Sequence, residues 1–146
     1  MNQTEVIMTI PFADGFALPV SQGLMDILSQ ELEKSGLGLK GQSSLVFNFR
    51  DPNYGPVRGG FHPVEIRLLK RRGRWQFDYV TDFSYLGPED MAELVKDIDF
   101  NFLSKEYYLI RYGQMGPASA RELYKMWESN FVDYYQMGVF TVSVSV

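Results

Sequence analysis

The feature that most constrains this chain is a switch to period two. In "SLVFNFRD", Leu45, Phe47 and Phe49 point one way while Val46, Asn48 and Arg50 point the other. In "HPVEIRLL", His62, Val64, Ile66 and Leu68 share a face, opposed by Pro63, Glu65 and Arg67. "KRRG" follows as a hairpin turn with Gly73 in the positive-φ position. "RWQFDYVTDF" then sets Trp75, Phe77, Tyr79, Thr81 and Phe83 against Gln76, Asp78, Val80 and Asp82. Strands joined by so tight a turn must pair antiparallel.

Helical signals flank this block. Ser21 is placed to cap "SQGLMDILSQELEKSG", where Leu24, Ile27, Leu28 and Leu32 follow helical spacing and Gly36 supplies the stop. "PASARELYKMWESNFVDYYQMG" predicts a long helix, opened by Pro117 and closed by Gly138. Its wide stripe contains Ala120, Leu123, Tyr124, Trp127, Phe131, Tyr134 and Tyr135. Further strands are expected at residues 5–10, "IDFNF", "KEYYLIRYG" and the terminal "VFTVSVSV", and a short helix at "GPEDMAELVKD". The expectation is one α+β domain over residues 1–146. It is a twisted antiparallel sheet flanked by an N-terminal helix and a long late helix.

Composition narrows the function classes. With no cysteine, disulfides, thiolate metal sites and cysteine nucleophiles are excluded, which suits a reducing cytoplasm. The N-terminus lacks a basic n-region, and no run approaches the ~20 apolar residues of a membrane helix, so a cytoplasmic protein without membrane association is expected. The net charge of −4 argues against a nucleic-acid binder, which neutralises phosphates with basic residues.

The polar candidates gather in "NFRDPNYGPVRGGFHPVEIRL". Arg50, Asp51, Arg58, His62, the chain's only histidine, and Glu65 form the candidate ligand-binding set. A histidine beside carboxylates can act as a general base, but no Gly-x-Ser-x-Gly elbow supplies a nucleophile, and no catalytic residue is assigned. "GPVRGG" leads into a strand rather than a helix, which removes the N-terminus a phosphate loop needs. Asp78, Asp82, Asp97, Asp99 and Glu65 fall on the less apolar strand faces with Arg50, Arg67, Asn48 and Asn101. Oxygen ligands of this kind could hold magnesium or calcium. Plain pleat alternation favours a salt-bridge ladder instead, with no metal and no cofactor expected. "KRRGR" reads as a solvated hairpin tip, with nucleic-acid contact through Arg71, Arg72 and Arg74 the weaker alternative. Tyr107, Tyr108, Tyr112, Tyr134 and Tyr135 add more ring surface than one small core needs, which suits a partner-binding face.

The blocks "FNFRDPNYGPVRGGFHPVEIRL", "WQFDYVTDFSYLG", "DIDFNF" and "LYKMWESNFVDYYQMGVFTVSV" resemble a bacterial family of conserved domains of unknown function. Its members occur in Gram-negative bacteria among genes of mobile elements and genomic islands. That family is similar in plan to the mitochondrial glycoprotein family, acidic proteins whose helix-flanked antiparallel sheet assembles into rings that bind several protein partners. The terminal strand and the modest net charge depart from that plan. The resemblance implies no catalytic residue. The leading expectation is a non-enzymatic protein-binding or self-associating module, possible partners being another protein or a homo-oligomer. The alternative is a small hydrolase or metal-dependent enzyme centred on His62, Asp51 and Glu65.

Overall fold

The computed structural model describes residues 9–146. The strand expected over residues 5–10 lies almost wholly outside them. Ile10 itself is buried, and its N–H donates to Ser29 Oγ at 3.1 Å.

Helix α1 spans Gln22–Ser35. Ser21 caps it, its hydroxyl accepting from the Leu24 N–H at 3.2 Å, and Gly36 ends it at φ +78°. Leu24, Ile27, Leu28 and Leu32 are buried, as their spacing requires. Strands β1 (Ser44–Arg50), β2 (Val64–Arg71), β3 (Arg74–Leu86), β4 (Glu93–Asn101), β5 (Glu106–Leu109) and β6 (Gly113–Met115) follow as an antiparallel meander. Helix α2 (Pro117–Gln136) then leads to β7 (Thr141–Ser145), which pairs with β1 and completes the order β6-β5-β4-β3-β2-β1-β7.

This topology explains the length of α2. Six strand spacings of about 4.8 Å separate β6 from β7, roughly 29 Å, and twenty helical residues span about 30 Å. Successive helix positions meet successive strands. Tyr124 packs on Phe100 and Phe102 at the β4 end, Trp127 bonds to Asp82 of β3, and Phe131 sits edge-on to Phe49 of β1 at 4.9 Å. Such edge-to-face pairs add about 0.5–1.5 kcal/mol beyond their area burial. The two helices are tied by Glu128, which is 6% exposed. Its carboxylate accepts the Tyr124 hydroxyl at 2.7 Å and the Ser21 N–H at 3.1 Å. A capping-box acid normally supplies that bond from within the capped helix; here α2 supplies it to α1.

Three cross-strand rows run the full width of the sheet. Under α2, Val144, Phe47, Ile66, Val80, Phe100, Tyr107 and Met115 form a continuous apolar row. On the other face, Ser143, Asn48, Glu65, Thr81, Asp99, Tyr108 and Gln114 form a polar one. The third, again on the helix side, reads Val142, Phe49, Val64, Asp82, Ile98, Leu109 and Gly113. Asp82 is its sole charged member.

Three expectations are corrected. The segment "GPEDMAELVKD" is not a helix: a single 3-10 turn at Glu89–Met91 is followed directly by β4. Met91 is 73% exposed, so a helix there would bury too little to offset its nucleation, whereas the extended chain pairs with β3 from Leu86 to Tyr79. The alternation in β3 also reverses midway. A register shift between Arg67 and Leu68 leaves Asp78 as an extra residue, so Trp75 and Phe77 face the core before it and Val80 and Asp82 after it. Finally, "KEYYLIRYG" is split into β5 and the three-residue β6, the chain turning at Arg111 with φ +66°.

Candidate functional site

The long connection between β1 and β2 is shaped by Asp51. Its carboxylate accepts the N–H groups of Asn53 at 2.9 Å and Phe61 at 3.0 Å, closing the loop on itself. Gly60 stands where a Cβ would meet Asp51 Oδ2 at 2.8 Å, at φ +126°, so only glycine fits. The Tyr54 hydroxyl accepts the Tyr85 N–H at 3.0 Å, and its ring stacks on Tyr85, anchoring the loop to β3.

This loop delivers His62 to the broken row. Its Nδ1 lies 2.7 Å from Asp82 Oδ1 and 3.5 Å from Asp97 Oδ2. Asp82 is 9% exposed, and its second oxygen accepts the Trp127 Nε1–H at 2.9 Å. Both carboxylates reach this point through irregular pairing. The shift at Asp78 turns Asp82 towards the helix, and a second shift leaves Asp97 unpaired between the partners of Asp82 and Phe83. Bulges commonly re-aim side chains in this way beside functional sites.

The electrostatics follow from that crowding. The hydrogen bond to Asp82 raises the His62 pKa; burial opposes it, and the charges of Asp82 and Asp97 reinforce it. Burial raises the Asp97 pKa, as does the neighbouring Asp82 charge, while His62 and Arg111 pull the other way.

A cavity of about 360 Å³ opens beside the triad, between α2 and this end of the sheet. Phe61, Trp127, Phe131, Tyr134 and Phe140 provide most of its wall, with Asn130 at one side. Among the described residues, no serine, threonine, cysteine or lysine lines it. The arrangement can hold an apolar group, a cation or a metal ion, and it can exchange a proton at His62.

The expected ligand set does not converge. Of Arg50, Asp51, Arg58, His62 and Glu65, only His62 lines the cavity. Arg50 is exposed at the end of β1, and Arg58 is exposed in the loop. Asp51 is occupied by backbone N–H groups, and Glu65 accepts the Tyr79 hydroxyl on the opposite face. There the ladder is real: Arg67 pairs with Asp78 at 2.7 Å, and Asp99 accepts Thr81 at 2.7 Å and Asn101 at 3.0 Å. Asp82 and Asp97 do not belong to it. The bulges moved them, and no period-two reading could see that.

The five tyrosines are likewise dispersed. Tyr107 is 2% exposed and belongs to the core, which corrects its place in a partner-binding face. Tyr108 lies in the polar row, and Tyr112 is 68% exposed beyond β5. Tyr134 stands at the cavity, its ring 4.6 Å from that of Phe61. Tyr135 donates its hydroxyl to Glu31 of α1. Arg71, Arg72 and Arg74 are exposed at the β2–β3 turn, at the far end of β2 from His62.

Among the described residues, no helix is long and apolar enough to cross a membrane. A family model described as "Protein of unknown function (DUF2787)" matches residues 22–145. Among solved structures, the hypothetical protein VC0508 from the VSP-II pathogenicity island of Vibrio cholerae is 35% identical, with a TM-score of 0.86. The match covers 94% of this chain and 99% of that one. The conserved hypothetical protein VC1805 from V. cholerae pathogenicity island VPI-2 is also 35% identical, with a TM-score of 0.74, over 90% and 98% of the two chains. VC1805 is described as sharing structural homology with the human P32 protein. No curated protein matches the chain.

Proposed function

The chain belongs to the DUF2787 family of proteins of unknown function, and on that premise we propose that it is a non-enzymatic cytoplasmic module that binds another protein. The contact surface is the mouth of the α2 cavity, which receives an apolar or aromatic side chain of the partner. One observation carries this reading: a cavity of about 360 Å³ is walled by five aromatic rings and, among the described residues, offers no serine, threonine, cysteine or lysine nucleophile. Tyr134, 36% exposed at its rim, is the kind of amphipathic ring that anchors interfaces. The absence of cysteine suits the cytoplasm.

Light scattering on the eluting protein and capture from host lysate, each with wild type, Tyr134→Ala and Asn130→Arg, test it. The expected result is a partner, or a second copy, held by wild type and released by both variants. A strict monomer that captures nothing, or capture that both variants leave intact, refutes it.

The His62–Asp82 hydrogen bond of 2.7 Å favours a second reading, a small hydrolase or metal-dependent enzyme at the same cavity. Its residues would be His62, Asp82 and Asp97 rather than His62, Asp51 and Glu65. Substrate turnover lost in His62→Ala, with the fold intact, would distinguish it.

A further inference from the structure

We propose that His62, Asp82 and Asp97 form a binding site for one divalent first-row transition-metal ion, such as zinc or manganese. The inference rests on taking the α2 cavity as the working site. His62 Nδ1 and one oxygen from each carboxylate all lie within 4.8 Å of one another. Ions with bonds of about 2.0–2.2 Å bridge nearly that span, so small side-chain rotations complete the approach. The three ligands come from three separate elements: the β1–β2 loop, β3 and the β4 bulge.

In the ion-free arrangement one of the two carboxylates is left with only a long contact to the imidazole, and a cation would draw both in. Asp82 spends one oxygen on His62 and the other on Trp127, whereas Asp97 stands 3.5 Å from His62, too far for a good hydrogen bond. Two carboxylates are thus brought together beside apolar walls with a single imidazole to share. Among the described residues, Arg111 is the other cation whose charge reaches Asp97. A neutral imidazole and two carboxylates carry two negative charges, which a divalent ion cancels. The ion takes the place of the proton between His62 and Asp82, and that proton leaves to solvent.

The donor set selects the metal. One nitrogen with two oxygens suits zinc, manganese, cobalt or iron better than magnesium or calcium, which prefer oxygen alone. The Trp127 N–H holds the non-ligating oxygen of Asp82, the outer-shell role that orients a metal carboxylate. The cavity leaves the remaining coordination positions open to water or to a partner's ligand. Because His62 is the chain's only histidine and cysteine is absent, any imidazole-bound ion must sit here.

The test uses full-length, tag-free protein stripped with chelator, titrated calorimetrically with zinc chloride and with manganese chloride. Wild type is expected to bind one equivalent of each, more tightly than magnesium. Asp97→Asn and His62→Ala, which remove ligands themselves, should each weaken binding by at least the roughly 10–100-fold that loss of an outer-shell partner costs. Glu122→Gln, at an exposed α2 residue paired with Lys125, should leave it unchanged. Manganese should also broaden the NMR signals of His62, Ile98 and Tyr134 first, a readout on wild type that holds even if a variant misfolds. No one-equivalent binding, binding that survives both variants, or broadening centred elsewhere overturns the site. Partner capture is scored separately. Metal bound without a partner leaves this site standing and refutes the binding module; a partner bound without metal does the reverse.

Discussion

The bond between Asp82 and Trp127 can be measured without knowing any ligand, by a double-mutant cycle of Asp82→Ala and Trp127→Phe. Trp127 is 8% exposed and Asp82 9%, and they meet at 2.9 Å, so the bond is formed largely out of water. Hydrogen bonds to charged groups contribute about 1.5–3 kcal/mol net. Asp82→Ala removes that bond and the one to His62 and orphans a buried indole N–H. Relief of carboxylate desolvation offsets part of the loss, for a cost of about 2 kcal/mol. Trp127→Phe loses the same bond together with part of a ring that packs on Phe131 at 5.1 Å. Once phenylalanine is present, no N–H is left to orphan, so the double variant should be more stable than the summed single effects predict by about 1–2 kcal/mol. Urea unfolding followed by far-UV circular dichroism is the suitable assay, because the second mutation removes one of only two tryptophans. A coupling energy below about 0.5 kcal/mol, with unchanged m-values, would refute the claim that this bond holds the carboxylate in place.

Two further outcomes follow from the loop and its histidine. In metal-free protein the His62 pKa lies above its ordinary 6.5, raised first by the Asp82 hydrogen bond. Its stabilising contribution is therefore fully present below 6.5 and lost as pH rises through the raised value. His62→Gln should then cost about 0.5–1 kcal/mol near pH 5.5, discounted because the side chain is 38% exposed, and much less near pH 9. Equal urea midpoint shifts at the two pH values would contradict it. Gly60→Ala should destabilise by about 1–3 kcal/mol, since φ +126° and the 2.8 Å approach of Asp51 both resist a Cβ. Gly59→Ala, with open space around it, should cost only the strain of its φ of +71°. Thermal melts giving the reverse order would refute the role assigned to Asp51.

Much of the fold was legible because local and tertiary demands agreed. Ser21 and Gly36 bound α1, Pro117 opens α2, and the alternation in β1 and β2 survives intact into the apolar rows. Agreement failed where tertiary pairing overrode local pattern. The acids and proline of "GPEDMAELVKD" signal a helix start, yet pairing with the long β3 draws the segment into β4. The site was half legible. His62 could be singled out as a lone histidine after a glycine-rich loop, but its partners could not. Strict alternation puts Asp82 on the polar face, and only the extra residue at Asp78 turns it over. A bulge of that kind leaves no composition signal, being a choice the backbone makes to twist and curve the sheet.

Asp82 is also where the structure departs most from what stability alone would select. Between Val64 and Ile98, a leucine would complete the third row as Val80 completes the row beside it. The carboxylate does satisfy the Trp127 N–H, but a phenylalanine at 127 would remove that requirement altogether, and paired apolar replacements of this kind are often neutral or stabilising. Nor does His62 need it, since a side chain 38% exposed can be solvated by water. The loop held by Asp51, the two bulges and the Trp127 bond all serve to place or hold charged groups at the rim of one apolar cavity. In a chain whose other choices favour the fold, such a concentration of costly placements is what the proposed binding role of this cavity accounts for and fold stability does not.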